Sequence, residues 1–463
     1  MAGTGKTSIA LTLCQLLWYD TTVYLGGSFF CSRSTGTVER THVQRIVPTL
    51  ANVLARQLPE YASVLAKQLA KQPDIAHWSV SSQIECLLTL PLAELGRCDG
   101  QIVFVIDALD ECSDQGKLVE LIDALVDFKS VVPVKFMLTS RPEMFIRRTP
   151  ISDPKFSTVL RLHTIDPTLI TADLRLYIAE TLARASDATK WYTHSDVEAL
   201  VQRSGGLFIF ASTVLKYILD RFNDDGRRDR LRKITEAMSR STASTAPLDK
   251  VYEFVLTEAT RPDRVDDDEL SDTRRVLACI LTARASLSIQ VLADLIEVSP
   301  GNLRGALERL PSLVYIPEDD TKPGIRTLHA SFGDYIFERA AIHIRIAASF
   351  GHDNLTHGCL RRMAWSDLCF NVSRSWSSFE PNSDEAPDWV APSLLYACFH
   401  WVHHLNAASD TSGFDTEVGR TFQQKFLFWL EVLSVMKKLG LASGFLRIAG
   451  SVVSTSAHLA PKC

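Results

Sequence analysis

The sequence predicts an α/β domain built on a parallel sheet, followed by a longer helical region. Three observations predict it. Helical and strand patterns alternate through about residue 165, which implies βαβ units. Two of the strand patterns, 101–106 (QIVFVI) and 134–139 (VKFMLT), are apolar runs of the kind that parallel sheets bury on both faces. Beyond about residue 166 the strand signal fades and helical patterns take over.

In chain order, 8–18 reads as a helix, and 22–31 (TVYLGGSFFC), rich in β-branched and aromatic residues, as a strand. Residues 41–57 and 80–95 read as helices; the 101–106 strand, a helix over 115–127 and the 134–139 strand follow. Further helical patterns fit 170–184, 195–203, 207–221 and 229–239. The tract 239–247 (SRSTASTAP) reads as a linker, and 266–269 (DDDE) as an exposed acidic loop. Residues 270–340 read as three helices and then two short strands near 312–316 and 325–328, an order that suits a winged-helix domain. From 350 to 440 the chain is helical again, with aromatic-rich segments at 394–405 and 426–433. The organisation expected is an α/β core over 1–165, a helical domain over 166–245, a winged-helix domain over 246–345 and a C-terminal helical region over 346–463.

Composition bounds the function. At 463 residues the chain is long enough for about three domains of roughly 150 residues. With 46% hydrophobic and 22% charged residues it is ordinary globular protein, which excludes disorder, collagen and coiled coil as overall descriptions. The net charge of −5 lacks the basic excess of a dedicated nucleic-acid binder. Arg227 to Lys233 is rich in cations, but Asp224, Asp225 and Asp229 interleave, so it reads as a solvated helix face. The ten cysteines include no C-x-x-C pair, and most sit in apolar runs, which reads as reduced, buried thiols of a cytoplasmic protein. No apolar stretch reaches the ~18 residues that cross a bilayer, so no membrane partner is expected.

Three motifs carry chemistry. Gly3-Thr4-Gly5-Lys6-Thr7-Ser8 is most of the phosphate-binding loop G-x-x-x-x-G-K-[ST]. Its glycines let successive N–H groups point at a phosphate, and the helix that follows adds its positive end. Lys6 would reach the β- and γ-phosphates and the Thr7 hydroxyl would sit on Mg²⁺. About a hundred residues on, the apolar strand ends in Asp107, with Asp110 and Glu111 close behind. An acid at a strand's C-terminal end can hold a magnesium shell beside such a loop. The third motif, Leu138-Thr139-Ser140-Arg141-Pro142-Glu143, puts Arg141 just past a buried strand, within reach of a γ-phosphate. Alone, an arginine there reads as a surface ion pair; as the third element in this order it points to nucleotide.

The segments AGTGKTS, FVIDALDEC and LTSRPE resemble the NACHT branch of signal-transducing P-loop ATPases, in its fungal form, and the nephrocystin-like group within it. Ser28 to Cys31, Arg203 to Phe210 and Leu328 to Tyr335 extend the resemblance along most of the chain. It implies a P-loop NTPase core in a receptor-like signalling switch that binds ATP or ADP with Mg²⁺, hydrolyses ATP slowly and self-associates through this module. Residue by residue it gives Gly3 to Ser8 to the phosphates, Thr7 and Asp107 to Mg²⁺, Asp110 or Glu111 to the attacking water and Arg141 to the γ-phosphate. His329 matches a winged-helix histidine that contacts the ADP β-phosphate in related switches.

Two departures keep a second reading open. The effector domain and repeat array usual in such proteins are absent from this chain. The pattern also begins inside the loop, one residue after its first glycine and without the strand that delivers it, so an N-terminally truncated chain is expected. On that ground the alternative is a non-catalytic fragment or interaction scaffold that no longer holds nucleotide.

Overall fold

The computed structural model describes residues 3–20, 22–32, 38–96, 100–141, 158–185, 191–220, 223–240, 246–263, 265–342, 344–364, 390–409 and 412–459. Pro142 and Glu143, residues 241–245 of the expected linker, and Cys98, Cys369 and Cys463 lie outside them. The chain divides into two compact units, the first running to Val251 and the second from Tyr252 onward.

In the first unit, α1 (Lys6–Trp18) leads into β1 (Val23–Phe30). Four helices, α2 (Ile46–Gln57), α3 (Pro59–Lys71), α4 (Val80–Ile84) and α5 (Leu90–Leu95), carry the chain to β2 (Gln101–Asp107), and α6 (Gln115–Val126) carries it to β3 (Val134–Leu138). The three strands are parallel in the order β1-β2-β3, so the expected α/β core is present. The central strand holds it together. Ile102, Phe104 and Ile106 point into one core with α2 through α6, while Val105 meets Ala10 of α1 and Leu25 on the opposite face. All four β2 side chains are fully buried, and each contributes about 1.5–3 kcal/mol.

One expectation fails at the strand next door. The 134–139 run was expected to be buried on both faces, yet β3 is only half-buried and Lys135 is exposed. Among the described residues β3 has a strand neighbour on one side only, so it is a sheet edge and its composition overstates its burial.

Helices α7 (Pro167–Arg184), α8 (His194–Ser204), α9 (Phe208–Leu219) and α10 (Asp224–Arg240) follow. The first three of these lie within a few residues of the sequence reading. The charges of α10 pair locally, Arg227 with Asp224 at 3.2 Å and Lys233 with Asp229 at 2.8 Å, but the face is solvated only in part, since Arg227 and Arg230 are largely buried and donate to Ala185 O and Tyr217 O. A helix not anticipated, α11 (Pro247–Ala259), starts on the proline that seemed to close the linker.

Beyond α11 the second unit continues with α12 (Asp267–Thr282), α13 (Ile289–Ile296) and α14 (Pro300–Glu308), then the antiparallel pair β4 (Val314–Tyr315) and β5 (Arg326–Thr327). The three-helix, two-strand order is as read. The acidic tract is not a loop: the Asp266 side chain accepts from Glu269 N–H at 2.8 Å and Glu269 reaches back, capping α12. A short helix, α15 (Ser331–Asp334), precedes α16 (Ala348–Ala364), α17 (Pro392–Asn406), α18 (Asp415–Val435) and α19 (Ala442–Leu459). Gly351 and Gly358, two turns apart on α16, let its backbone lie against α12 and α13: a Cβ at Gly358 would stand 2.2 Å from Leu295 O. Trp401 of α17 and Trp429 of α18, from the two aromatic-rich segments, meet edge to face at 6.3 Å, both fully buried. Among the described cysteines, Cys31, Cys112, Cys279, Cys359 and Cys398 are buried, and Cys14 and Cys86 are partly so.

Candidate functional site

The first unit brings its three motifs to one place. Gly3 and Gly5 both have left-handed backbones, φ 76° and 89°, open to glycine at little cost. Gly3 has a second reason, since a Cβ there would stand 1.9 Å from the Ile209 side chain. The Ile209 N–H donates to Gly3 O at 3.3 Å, so the start of α9 props the loop. No local pattern in the sequence signals that contact between residues so far apart. Gly5 caps α1 with no side-chain oxygen on the first-turn N–H groups. A glycine cap puts no side chain of its own over the positive helix end, where an anion is favoured.

Asp107 sits at the C-terminal end of β2, 2% exposed. The Thr7 hydroxyl donates to its Oδ2 at 2.7 Å and the Thr139 hydroxyl to its Oδ1 at 2.5 Å. Thr139 also accepts the Ala108 N–H at 2.9 Å, which holds the backbone where Ala108 turns left-handed with φ 55°. The sequence reading passed over Thr139; its signal is a hydroxyl directly after β3, beside the acid that ends β2. Parallel pairing of β2 with β3 makes these neighbours.

Asp110 and Arg141 form the other bracket. Arg141 donates its backbone N–H to Asp110 Oδ1 at 2.8 Å and its Nε lies 3.2 Å from Oδ2. Ser140 adds a hydroxyl at 3.3 Å. Asp110 is thus committed to holding Arg141, whereas Glu111, one residue on, is partly exposed. Lys6 joins the cluster electrostatically: burial lowers its pKa, Asp110, Asp107 and Glu111 pull it back up, and Arg141 adds to the lowering. A half-buried ammonium so placed favours a multiply charged anion as its partner.

His329 belongs to the second unit. Its Nδ1 accepts the Ser331 N–H at 3.1 Å and lies 2.7 Å from the Ser331 hydroxyl, which also meets Tyr252 OH at 2.9 Å. Accepting at Nδ1 leaves Nε2 as the donor nitrogen of the neutral ring.

Among the described residues no group of three or more His, Cys, Asp or Glu side chains is placed to hold a metal by itself. Mg²⁺ needs less, since it keeps several waters and takes one or two carboxylates beside substrate phosphates. A threonine hydroxyl on a buried aspartate is a hard-oxygen pair that fits it. No described helix is long and apolar enough to cross a membrane.

No curated protein matches the chain. The family model described as nephrocystin 3, N-terminal, matches residues 1–141, a segment that ends on Arg141 and contains every residue of the cluster from Gly3 onward.

Proposed function

We propose that the first unit binds ATP and ADP with Mg²⁺ and hydrolyses ATP slowly as part of a signalling switch of the NACHT type. The observation that carries the reading is the Thr7–Asp107 hydrogen bond, which joins the end of the glycine loop to the end of β2 across 100 residues of sequence. Lys6 and the first turn of α1 hold the phosphates. Thr7 and Asp107 hold Mg²⁺, which when bound neutralises phosphate charge. Asp110 positions Arg141 toward the γ-phosphate, and of the two acids that the resemblance offers, the contacts of Asp110 with Arg141 favour Glu111 for the attacking water. The nephrocystin 3 match over the same segment supports this reading.

On the same reading residues 246–345 form a winged-helix domain, and His329 helps distinguish ADP from ATP. Equal loss of both affinities in His329→Ala would remove that role. The four-domain division and self-association through the first unit remain part of this proposal.

Magnesium dependence tests the site. Asp107→Asn should weaken Mg-ADP binding tenfold or more, by about 1.4 kcal/mol per decade, and leave binding measured in EDTA unchanged. If the variant and the parent respond alike to magnesium, Asp107 does not serve the metal.

A further inference from the structure

We propose that Cys31 and Cys112 are a thiol pair that closes into a disulfide, and that this bond locks the acidic turn of residues 107–111. The Cys112 thiol donates to Cys31 Sγ at 3.4 Å in the interior, each residue 4% exposed. The two come from separate elements that meet at the candidate site. Cys31 directly follows β1, and its N–H bonds Asp107 O at 3.0 Å. Cys112 closes the turn that carries Asp110 and Glu111; its N–H bonds Leu109 O at 3.2 Å, and the next residue, Ser113, bonds Thr41 O at 2.9 Å. Each sulfur therefore rides on backbone already fixed by hydrogen bonds.

A disulfide has its sulfurs about 2.05 Å apart, so closure draws the pair together by about 1.4 Å. The neighbouring backbone is pinned at Asp107 and Thr41, so the part of that movement not taken up by side-chain rotation falls on the turn between. Asp110 and Glu111 move with it. A displacement of about 1 Å is enough to cost a reaction about a hundredfold.

With glutathione disulfide as the oxidant the step balances. One cysteine thiolate attacks a glutathione sulfur, and the departing glutathione thiolate takes up a proton. The second cysteine thiolate then attacks the first cysteine's sulfur in the mixed disulfide and releases the other glutathione. Two protein thiols are oxidised, and one glutathione disulfide is reduced to two glutathiones. The hydrogen bond from Cys112, together with burial, raises the Cys31 pKa far above the usual thiol range. Exchange therefore waits on local opening of the turn and is slow while the turn is closed.

The effect on nucleotide rests on the function proposed above; formation of the bond does not. The test incubates the full chain with glutathione disulfide under native conditions, alkylates what remains reduced, and maps the peptides. The expected product joins the Cys31 and Cys112 peptides with a loss of about 2 Da, reversed by dithiothreitol. Cys31→Ala and Cys112→Ala should each abolish it, and the map of the parent chain decides the matter if either variant fails to fold. Joined peptides that contain other cysteines, or a Cys31 and Cys112 that both stay alkylatable at every oxidant ratio, overturn the pair. For the lock, the linked chain should lose ATP hydrolysis about a hundredfold relative to its reduced form. Equal turnover in the linked and reduced chains overturns the lock. No turnover or ADP binding in the reduced chain overturns the nucleotide reading instead, and the peptide map still judges the disulfide.

Discussion

Replacing Lys6 by methionine removes an ammonium and keeps most of its stem, which separates charge from packing. Lys6 is half-buried, and burial together with Arg141 lowers its pKa more than Asp110, Asp107 and Glu111 raise it. The charge is therefore a net burden on the folded, nucleotide-free chain. The sign follows: the unfolded state holds the Lys6 proton more tightly, so the parent gains stability as pH rises toward 10.5, the unperturbed value, and Lys6→Met loses that gain. At pH 7 the variant should melt at or above the parent's temperature without nucleotide. With nucleotide the order reverses. Mg-ADP at a hundredfold excess over Kd stabilises the parent by about 2.7 kcal/mol. A lost charge-assisted phosphate contact costs about 1.5–3 kcal/mol, or roughly ten- to hundredfold in Kd. At the same ADP concentration the variant keeps only about 0.4–1.4 kcal/mol. For a body of 150–250 residues the melting shift falls from about 5–11 °C to about 1–6 °C. Differential scanning fluorimetry of both chains, with and without Mg-ADP, reads all four states. Equal ADP shifts in parent and variant would refute the reasoning, whatever the nucleotide-free values.

Three further outcomes follow from the same structure. Glu111→Gln should slow ATP hydrolysis by roughly 10²–10⁴ with ADP affinity intact, whereas Asp110→Asn should also lower the melting temperature, since it strips a buried acceptor from Arg141 at a cost of about 1–3 kcal/mol; single-turnover hydrolysis beside a melt separates the two. The second unit should be acid-sensitive: burial, with His403 and Arg284 nearby, lowers His400 to about 3, and burial also lowers His352, His403 and His404. Histidines that stay neutral when folded contribute stability that is full above about 6.5 and lost as pH falls, about 2 kcal/mol for His400 alone by pH 5, and a melting temperature flat between pH 7 and 5 would contradict this. Gly358→Ala should gain about 1 kcal/mol of helix propensity and lose more, because its Cβ would meet Leu295 O at 2.2 Å and force α16 off α13; a stabilised variant in urea unfolding would sink that packing.

The α/β core and its site were legible in the sequence for a physical reason. A strand buried on both faces must be apolar throughout, so the acid that ends β2 stands out at Asp107, and the glycine loop needs its residue types locally. Helix starts were harder to read. Pro59 and Pro247 are the first residues of α3 and α11, where a missing N–H costs nothing, yet proline also marks breaks. Asp266 and Glu269 look like loop acids until they are seen capping α12. Long-range geometry was not legible at all. Nothing local marks Ile209 as the prop of Gly3 or Asp110 as the partner of Arg141, and the hydroxyl of Thr139 gains its meaning only once β3 is known to lie beside β2. The half-exposure of β3 belongs with these, since burial is set by neighbours that the strand's own residues do not name.

On the proposed function this chain holds a nucleotide through Lys6, Thr7 and Asp107. Calorimetric titration of Mg-ADP and Mg-ATP into the full chain, stripped of nucleotide, tests it most directly. Saturable binding is expected at one site per chain with Kd near 1 μM, about −8 kcal/mol, weakened when EDTA replaces magnesium and again in Lys6→Met. Folded chain that binds neither nucleotide at about 1 mM, a threshold of roughly −4 kcal/mol, would contradict it and leave the cluster a structural ion-pair network.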